Sequence, residues 1–218
     1  MKNSPIPASE LTDAMQEFPR IMVFEFSDDH TDAARPVSTL QLIDAWPNVF
    51  PNGPITLESG KKQGFAIPSK LGDSLTNNNV EDDGYRFHDA FHIGIMAKLG
   101  WSPVMRYMLH LKRRGDPQKD EVEDGARAII FEESLFDFLG MSEVKDGSSI
   151  EEDIDLLFAS LSVQKFMKSR TIDKRAPKRD VIEEALLEGA KLFHQVRQNL
   201  GGVVIANLDN ASVIYLPK

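Results

Sequence analysis

GYRFHDAFHIGIMAKLG, residues 84–100, is the stretch on which the fold reading turns. Asp82 and Asp83 stand before it as short acceptor side chains for the free N–H groups of a first helical turn. Gly100 supplies a left-handed stop, so the spacing predicts a helix from Gly84 to Leu99. Ser102-Pro103 follows at once as a cap and first-position pair opening a second helix to about Arg114, with Val104, Met108 and Leu111 on one face. Asp116-Pro117 repeats the device for a long helix closing at Gly140, where Ala126, Ile129, Ile130, Phe136 and Leu139 recur at helical spacing. Ser149-Ile-Glu-Glu152 is a capping box before a fourth helix to about Lys168. A fifth runs through VIEEALLEGAKLFHQVRQNL to about Leu200.

Strand signals lie at the margins of this helical body. Ile55–Ser59 and Gln63–Pro68 flank a glycine-bearing polar turn, and VVIANLDNASVIYL sets two β-branched runs around Asp209-Asn210; both predict hairpins. Upstream of residue 55 the patterning is weak. A helix after Ser9, an apolar stretch from Ile21 to Phe26, an acidic loop SDDHTDAARP and a short helix around Leu40–Trp46 are the elements it suggests. The expected architecture is therefore mostly α: a bundle of about five helices with small peripheral hairpins near 55–68 and 203–216. Residues 1–54 form an N-terminal extension and residues 55–218 the main domain.

Composition narrows the chemistry. The 218 residues contain no cysteine, which removes thiol nucleophiles and thiolate zinc sites and leaves carboxylate, imidazole, carbonyl or water to hold any metal. Mg²⁺ is then the expected cofactor, with Mn²⁺ as a second choice. A net charge of −9 opposes attraction to a nucleic-acid backbone, so no polynucleotide partner is expected. No apolar run reaches the ~18 residues of a membrane span, and MKNSPIPASELTD lacks the shape of a signal peptide; the expectation is a cytoplasmic protein without a membrane partner.

Three groups of residues are candidates for function. On the helix 84–99, His88 and His92 are four apart and Asp89 three before His92, so all three project from adjoining parts of one face and can share a metal or a phosphate. The alternative is a locally capped His88 and a satisfied, partly buried His92. On the long helix, Glu121, Asp124, Ala128 and Glu132 return to nearly one azimuth at ~100° per residue, so that their carboxylates can face one cation. Glu133 and Asp137 form a like-charged i,i+4 pair that calls for a positive neighbour. A solvated acidic face is the plain alternative, but Glu132 and Glu133 interrupt an apolar run and need a cation or an Arg127-type partner. Lys112, Arg113 and Arg114 complement a helix C-terminus and are also candidates for gripping phosphates. Gly94, Gly125, Ala126 and Ala128 are small residues within predicted helices, explained by close helix crossing or ligand approach.

The block GDSLTNNNVEDDGYRFHDAFHIGIMAKLGWSPVMRYMLHLKRRGDPQKDEVEDGARAIIFEESL, residues 72–135, resembles the C-terminal domain of MazG-like proteins, and ALLEGAKLFHQVRQNLGGVVIANLD, residues 185–209, is similar to that domain's closing segment. GYRFHDAFH, GWSP and EDGARA with the following Glu pair carry the likeness as a set. The resemblance implies an all-α nucleoside triphosphate pyrophosphohydrolase that acts on nucleotides, holds Mg²⁺ through ExxE and ExxD motifs and assembles as a homodimer or higher oligomer. A water activated at the cation would attack a phosphoryl group, releasing pyrophosphate and a nucleoside monophosphate. Glu121-Val-Glu-Asp124 matches ExxD. No literal ExxE occurs in the central helices; Asp89-Ala-Phe-His92 stands in its place, or Glu132 and Glu133 take its role.

The assignment that follows makes Asp89, Glu121, Asp124, Glu132 and Glu133 metal ligands, His88, His92 and Glu133 catalytic, and Lys112 and Arg113 phosphate-binding. It also expects Glu132→Gln and Glu133→Gln to leave stability intact. Two rivals remain: an HD-type phosphohydrolase built on His88-Asp89 with His30 and Asp124, and a catalytically silent nucleotide-binding or assembly module of the same fold.

Overall fold

The computed structural model describes residues 18–32, 35–46, 55–58, 61–64, 67–77, 82–111, 125–139, 154–170 and 177–218. Alternation in Ile21–Asp29 (β1) buries Met22, Phe24 and Phe26 on one face, with the shielded side chain of Asp28 following them, and leaves Ile21, Val23, Glu25 and Ser27 half-exposed on the other. β1 pairs antiparallel with Val37–Trp46 (β2). The expected helix at Leu40–Trp46 is therefore a strand. Its misleading feature is a bulge: Val23 stands opposite Asp44 and Phe24 opposite Leu42, so Ile43 is an inserted residue. The insertion turns period two into apolar residues at 40, 42, 43, 45 and 46, which mimics a helical face.

Ile55–Glu58 (β3) and Lys61–Gly64 (β4) pair as a separate hairpin with Glu58 opposite Lys61, a tighter register than the expected second strand at 63–68. Ser69–Thr76 (β5) is the edge strand beside β2. The expected terminal hairpin is present as Gly201–Asn207 (β6) and Ser212–Leu216 (β7), but it is not peripheral. β6 pairs with β1 from Ile21–Asn207 to Ser27–Gly201, giving one antiparallel five-stranded sheet in the order β5-β2-β1-β6-β7. The mostly-α bundle is thus overturned by a sheet whose central strand β1 and its neighbour β2 are formed by residues expected in an N-terminal extension. The fold combines α and β, with the sheet's inner face and the helices sharing one core.

The α-helices among the described residues are Asp89–Leu99 (α1), Pro103–Met108 (α2), Ala126–Phe138 (α3), Ile154–Arg170 (α4) and Arg179–Gln198 (α5). α1 is buried around almost its whole circumference. It crosses α5 so closely that a Cβ on Gly94 would stand 2.5 Å from the Gly189 Cα, which accounts for a glycine inside each helix. Gly100 closes α1 in the left-handed conformation, its N–H donating to Met96 O, and the Ser102 hydroxyl caps α2 by accepting from Met105 N. α2 ends at Met108 instead of continuing to Arg114; His110 adopts a left-handed φ of 55°. The capping box at 149–152 lies outside the described residues. No described helix is long and apolar enough to cross a membrane.

The long helix expected over 117–139 begins, among the described residues, only at Ala126. Gly125 is extended (φ −83°, ψ 163°) and serves as the N-cap, so it is not a helix-interior glycine; Glu121 and Asp124 lie outside the described residues. The buried face of α3 is Ala128, Glu132, Leu135 and Phe136, while Ile130 points to solvent.

Candidate metal centre

The site is assembled at the entrance to α1. Asp82 and Asp83 accept hydrogen bonds from Gly84 N and Tyr85 N, each 3.0 Å, and set up a 3₁₀ turn, Tyr85–Phe87, ahead of the helix proper. This turn is locked to the sheet by Arg86, which is buried. Its Nε and Nη2 donate to the two oxygens of Asp28 on β1 (2.9 and 2.8 Å), and its Nη1 donates to Asp82 (2.7 Å) and to Asn77 Oδ1 (3.1 Å). Two-pronged pairing of this kind fixes orientation as well as position.

The turn aims His88. Its Nδ1 lies 3.1 Å from Tyr85 O, and a carbonyl only accepts, so Nδ1 carries the proton and donates. The ring is stacked on Tyr85 (centroids 4.5 Å apart, 12° between planes) and rests on the edge of Phe136. Its Nε2 is left facing Glu133 Oε2 at 3.5 Å, with Asp89 Oδ1 at 3.7 Å.

One helical turn on, His92 is fully buried. Its Nε2 is 3.4 Å from the same Glu133 oxygen, and its Nδ1 is 3.1 Å from Glu132 Oε1. Neither approach has the alignment of a hydrogen bond, so both nitrogens of a buried imidazole remain unsatisfied by that measure. Glu132, equally buried, is itself fully engaged: Oε1 accepts from Ser102 Oγ (2.7 Å) and Oε2 from Val104 N (2.8 Å). An unmatched N–H at the start of α2 thus holds a carboxylate of α3 behind His92.

Burial opposes charge on His92, but Glu132 and Glu133 outweigh it and push the imidazole up to about 10. Burial also opposes charge on Glu133, yet His88 and His92 hold its carboxyl well below the usual carboxylate range. The Tyr85 phenol is pushed up by burial and then by Glu133, Asp137, Asp89 and Asp83. The positive neighbour that the Glu133–Asp137 pair calls for is therefore histidine. One ligand atom each from His88, His92 and Glu133 fall within 4.8 Å of one another. Two imidazoles, a carboxylate and unsatisfied buried nitrogens fit a divalent cation, which would take the place of the proton on His92 Nε2 while Nδ1–H stays toward Glu132.

Of the residues expected at the site, His88, His92 and Glu133 converge. Asp89 borders them, and Glu132 stands behind His92 with Ser102 Oγ and Val104 N donating to its two oxygens. Glu121, Asp124, Lys112 and Arg113 lie outside the described residues. His30 pairs with Asp28 at 2.7 Å, on the Arg86 side of the turn, and is not in the His88 group. Sequence reasoning missed Tyr85, Arg86 and the second role of Ser102. The carbonyl three residues before His88 was the available signal for the first; the others required tertiary contacts.

Among known proteins, no curated protein and no solved structure matches the chain. A family model does, that of the MazG C-terminal domain, over residues 58–218. With the match covering well over half of the 218 residues, the chain belongs to the MazG C-terminal domain family.

Proposed function

We propose that the chain is a metal-dependent nucleotide pyrophosphohydrolase, cleaving a nucleoside triphosphate to a nucleoside monophosphate and pyrophosphate. The observation that supports this reading is the convergence of His88, His92 and Glu133 in a member of this family. When bound, a divalent cation supplies positive charge to phosphate oxygens and makes water more acidic.

The chain's own residues have the following parts. His88, His92 and Glu133 hold the cation, and Glu132 positions His92. Asp89, beside His88, accepts the proton that water loses as its oxygen bonds to the α-phosphorus and the bond to the bridging oxygen of the leaving pyrophosphate breaks. The Tyr85 phenol, kept protonated by burial and then by the surrounding carboxylates, is a hydrogen-bond donor to the substrate. Glu121 and Asp124 of the ExxD motif add carboxylates for a cation, and Lys112 and Arg113 grip the phosphates. The working form is a homodimer or higher oligomer, supported by Ile130 and Phe138 on α3 and Leu157, Phe158 and Leu161 on α4, apolar side chains exposed in the single chain.

The test is incubation of the full chain with a panel of canonical and modified nucleoside triphosphates, with added divalent cation or with EDTA, and separation of products by ion exchange. Monophosphate and pyrophosphate appearing only with cation is the expected result. No turnover with any cation would leave a silent nucleotide-binding module, and release of phosphate alone or cleavage of a cyclic or monophosphate ester would favour the HD-type rival.

A further inference from the structure

Mg²⁺ and Zn²⁺ place different demands on their donors, and the described site can be compared with both. Mg²⁺ seeks oxygen in octahedral array at ~2.0–2.1 Å, which sets neighbouring donors ~2.9 Å apart. Zn²⁺ accepts imidazole and carboxylate in tetrahedral array at ~2.0–2.1 Å, which sets every pair of donors ~3.4 Å apart. Glu133 Oε2 is 3.4 Å from His92 Nε2 and 3.5 Å from His88 Nε2. These two edges match a tetrahedron and exceed the neighbouring-donor edge of an octahedron around Mg²⁺; the third, between the two imidazole nitrogens, lies within 4.8 Å and closes toward ~3.4 Å only as an ion draws the rings together, while the two nitrogen donors themselves suit Zn²⁺ and not oxygen-seeking Mg²⁺.

We propose that His88 Nε2, His92 Nε2 and Glu133 Oε2 form a tetrahedral site for Zn²⁺ or a cation of its class, with the fourth position open, and that this site does not take Mg²⁺. The proposal rests on reading the cluster as a metal centre, as above, but not on the reaction assigned to it.

The surroundings of the three donors favour the same cation. Each imidazole presents Nε2 inward because its Nδ1 faces an oxygen elsewhere, Tyr85 O for His88 and Glu132 Oε1 for His92. Such outer partners fix the tautomer and raise the basicity of nitrogen ligands. Glu132 cannot turn inward to supply a further carboxylate while Ser102 and Val104 N hold both its oxygens. Asp89 lies 3.7 Å from His88 Nε2 but completes no group with the other two donors. The open position is on the solvent side, where the Glu133 side chain is 38% exposed while that of His92 is not exposed at all. Three protein donors with one open position is the arrangement of a catalytic zinc site, not of a closed structural one.

The experiment strips the full chain with chelator and titrates it with Co²⁺ alone, because tetrahedral Co²⁺ absorbs visible light far more strongly than octahedral Co²⁺. The expected result is intense bands that saturate at one equivalent, vanish on adding one equivalent of Zn²⁺ and persist in millimolar Mg²⁺. Weak octahedral bands, no uptake, or loss of the bands to Mg²⁺ would overturn the proposal. Glu133→Gln, at a partly exposed position, should weaken Co²⁺ binding by roughly 100-fold or more while the far-ultraviolet circular dichroism stays unchanged; an unaltered cobalt spectrum in this variant would remove Glu133 from the site. Tetrahedral cobalt in a chain that turns over no nucleotide would leave this inference standing and defeat the hydrolase reading. Turnover with Mg²⁺ and no tetrahedral bands would do the reverse.

Discussion

Glu132→Gln separates a carboxylate that repels its neighbours from one that the fold is built around. As one of two adjacent acidic residues, Glu132 is expected from sequence to be neutralised without cost. In the structure its oxygens accept from Ser102 Oγ and Val104 N and face His92 Nδ1. An amide keeps one acceptor oxygen. With that oxygen on Val104 N, the NH₂ group meets Ser102 Oγ and His92 Nδ1, both of which donate toward Glu132 in the wild type. Ser102 Oγ can accept from the amide with its second lone pair, beside Met105 N, only by turning its own proton away from its former acceptor, and His92 Nδ1 accepts only by moving its proton to Nε2.

Loss of one charge-assisted hydrogen bond costs about 1.5–3 kcal/mol, and breaking a buried ionic pair about 3–5 kcal/mol. A loss near 3 kcal/mol lowers the melting temperature of a chain this size by about 6–12 °C. The assay is thermal unfolding in chelator, with wild type and Glu133→Gln beside it. The same exchange moves a proton onto the ligand nitrogen, so Glu132→Gln should also lose Co²⁺ uptake although Glu132 is not a ligand, and ¹⁵N shifts of His92 should report the reversed tautomer. A wild-type melting temperature in chelator with metal uptake intact would refute the reasoning.

Four further outcomes follow from the geometry. Gly94→Ala should destabilise by about 1–3 kcal/mol, because the new methyl meets Gly189 backbone and not a flexible side chain, and urea unfolding would measure it. Arg86→Lys keeps the charge but loses the fork on Asp28; it should lower the melting temperature and weaken metal binding about 10–100-fold, since the turn that orients His88 is released, and chelator competition would detect this. In metal-free protein, the raised His92 contributes stability that is full below its ordinary value of 6.5 and is lost as pH rises through about 10. The lowered Glu133 contributes above its ordinary value of 4.5 and loses that contribution as pH falls. The site's contribution should therefore peak between those ordinary values, and the urea midpoint of Glu133→Gln should show less pH dependence than wild type. Cation loading should release protons at neutral pH.

Most of what is legible in the sequence is local. Gly100 as a stop, Ser102-Pro103 as a start, the hairpin around Asp209-Asn210 and the close crossing at Gly94 each follow from a few neighbouring residues. The sheet is not local. β1 finds β6 across some 180 residues, from Ile21 to Asn207, and β2 hides its alternation behind the Ile43 insertion. β5 carries a single buried side chain, Leu71, so it offers no alternation to find. His88 and His92 were visible as an i,i+4 pair, but whether such a pair is a satisfied core feature or a ligand set depends on which carboxylate lies opposite.

Glu132-Glu133 shows why that question could not be answered from spacing. Adjacent residues on a helix diverge by ~100°, so two neighbouring carboxylates cannot present alike to one point. On α3 the first turns inward to the start of α2 and the back of His92, and the second turns to the two Nε2 atoms in front. The pair therefore acts through a single imidazole from both sides: one carboxylate governs which nitrogen bears the proton, and the other shares the cation that the free nitrogen binds. Exchanging the two positions' side chains for amides one at a time should separate metal affinity lost through a misplaced proton from affinity lost through a missing ligand. The former should destabilise the metal-free fold more, because the Glu132 side chain is fully buried while that of Glu133 is 38% exposed.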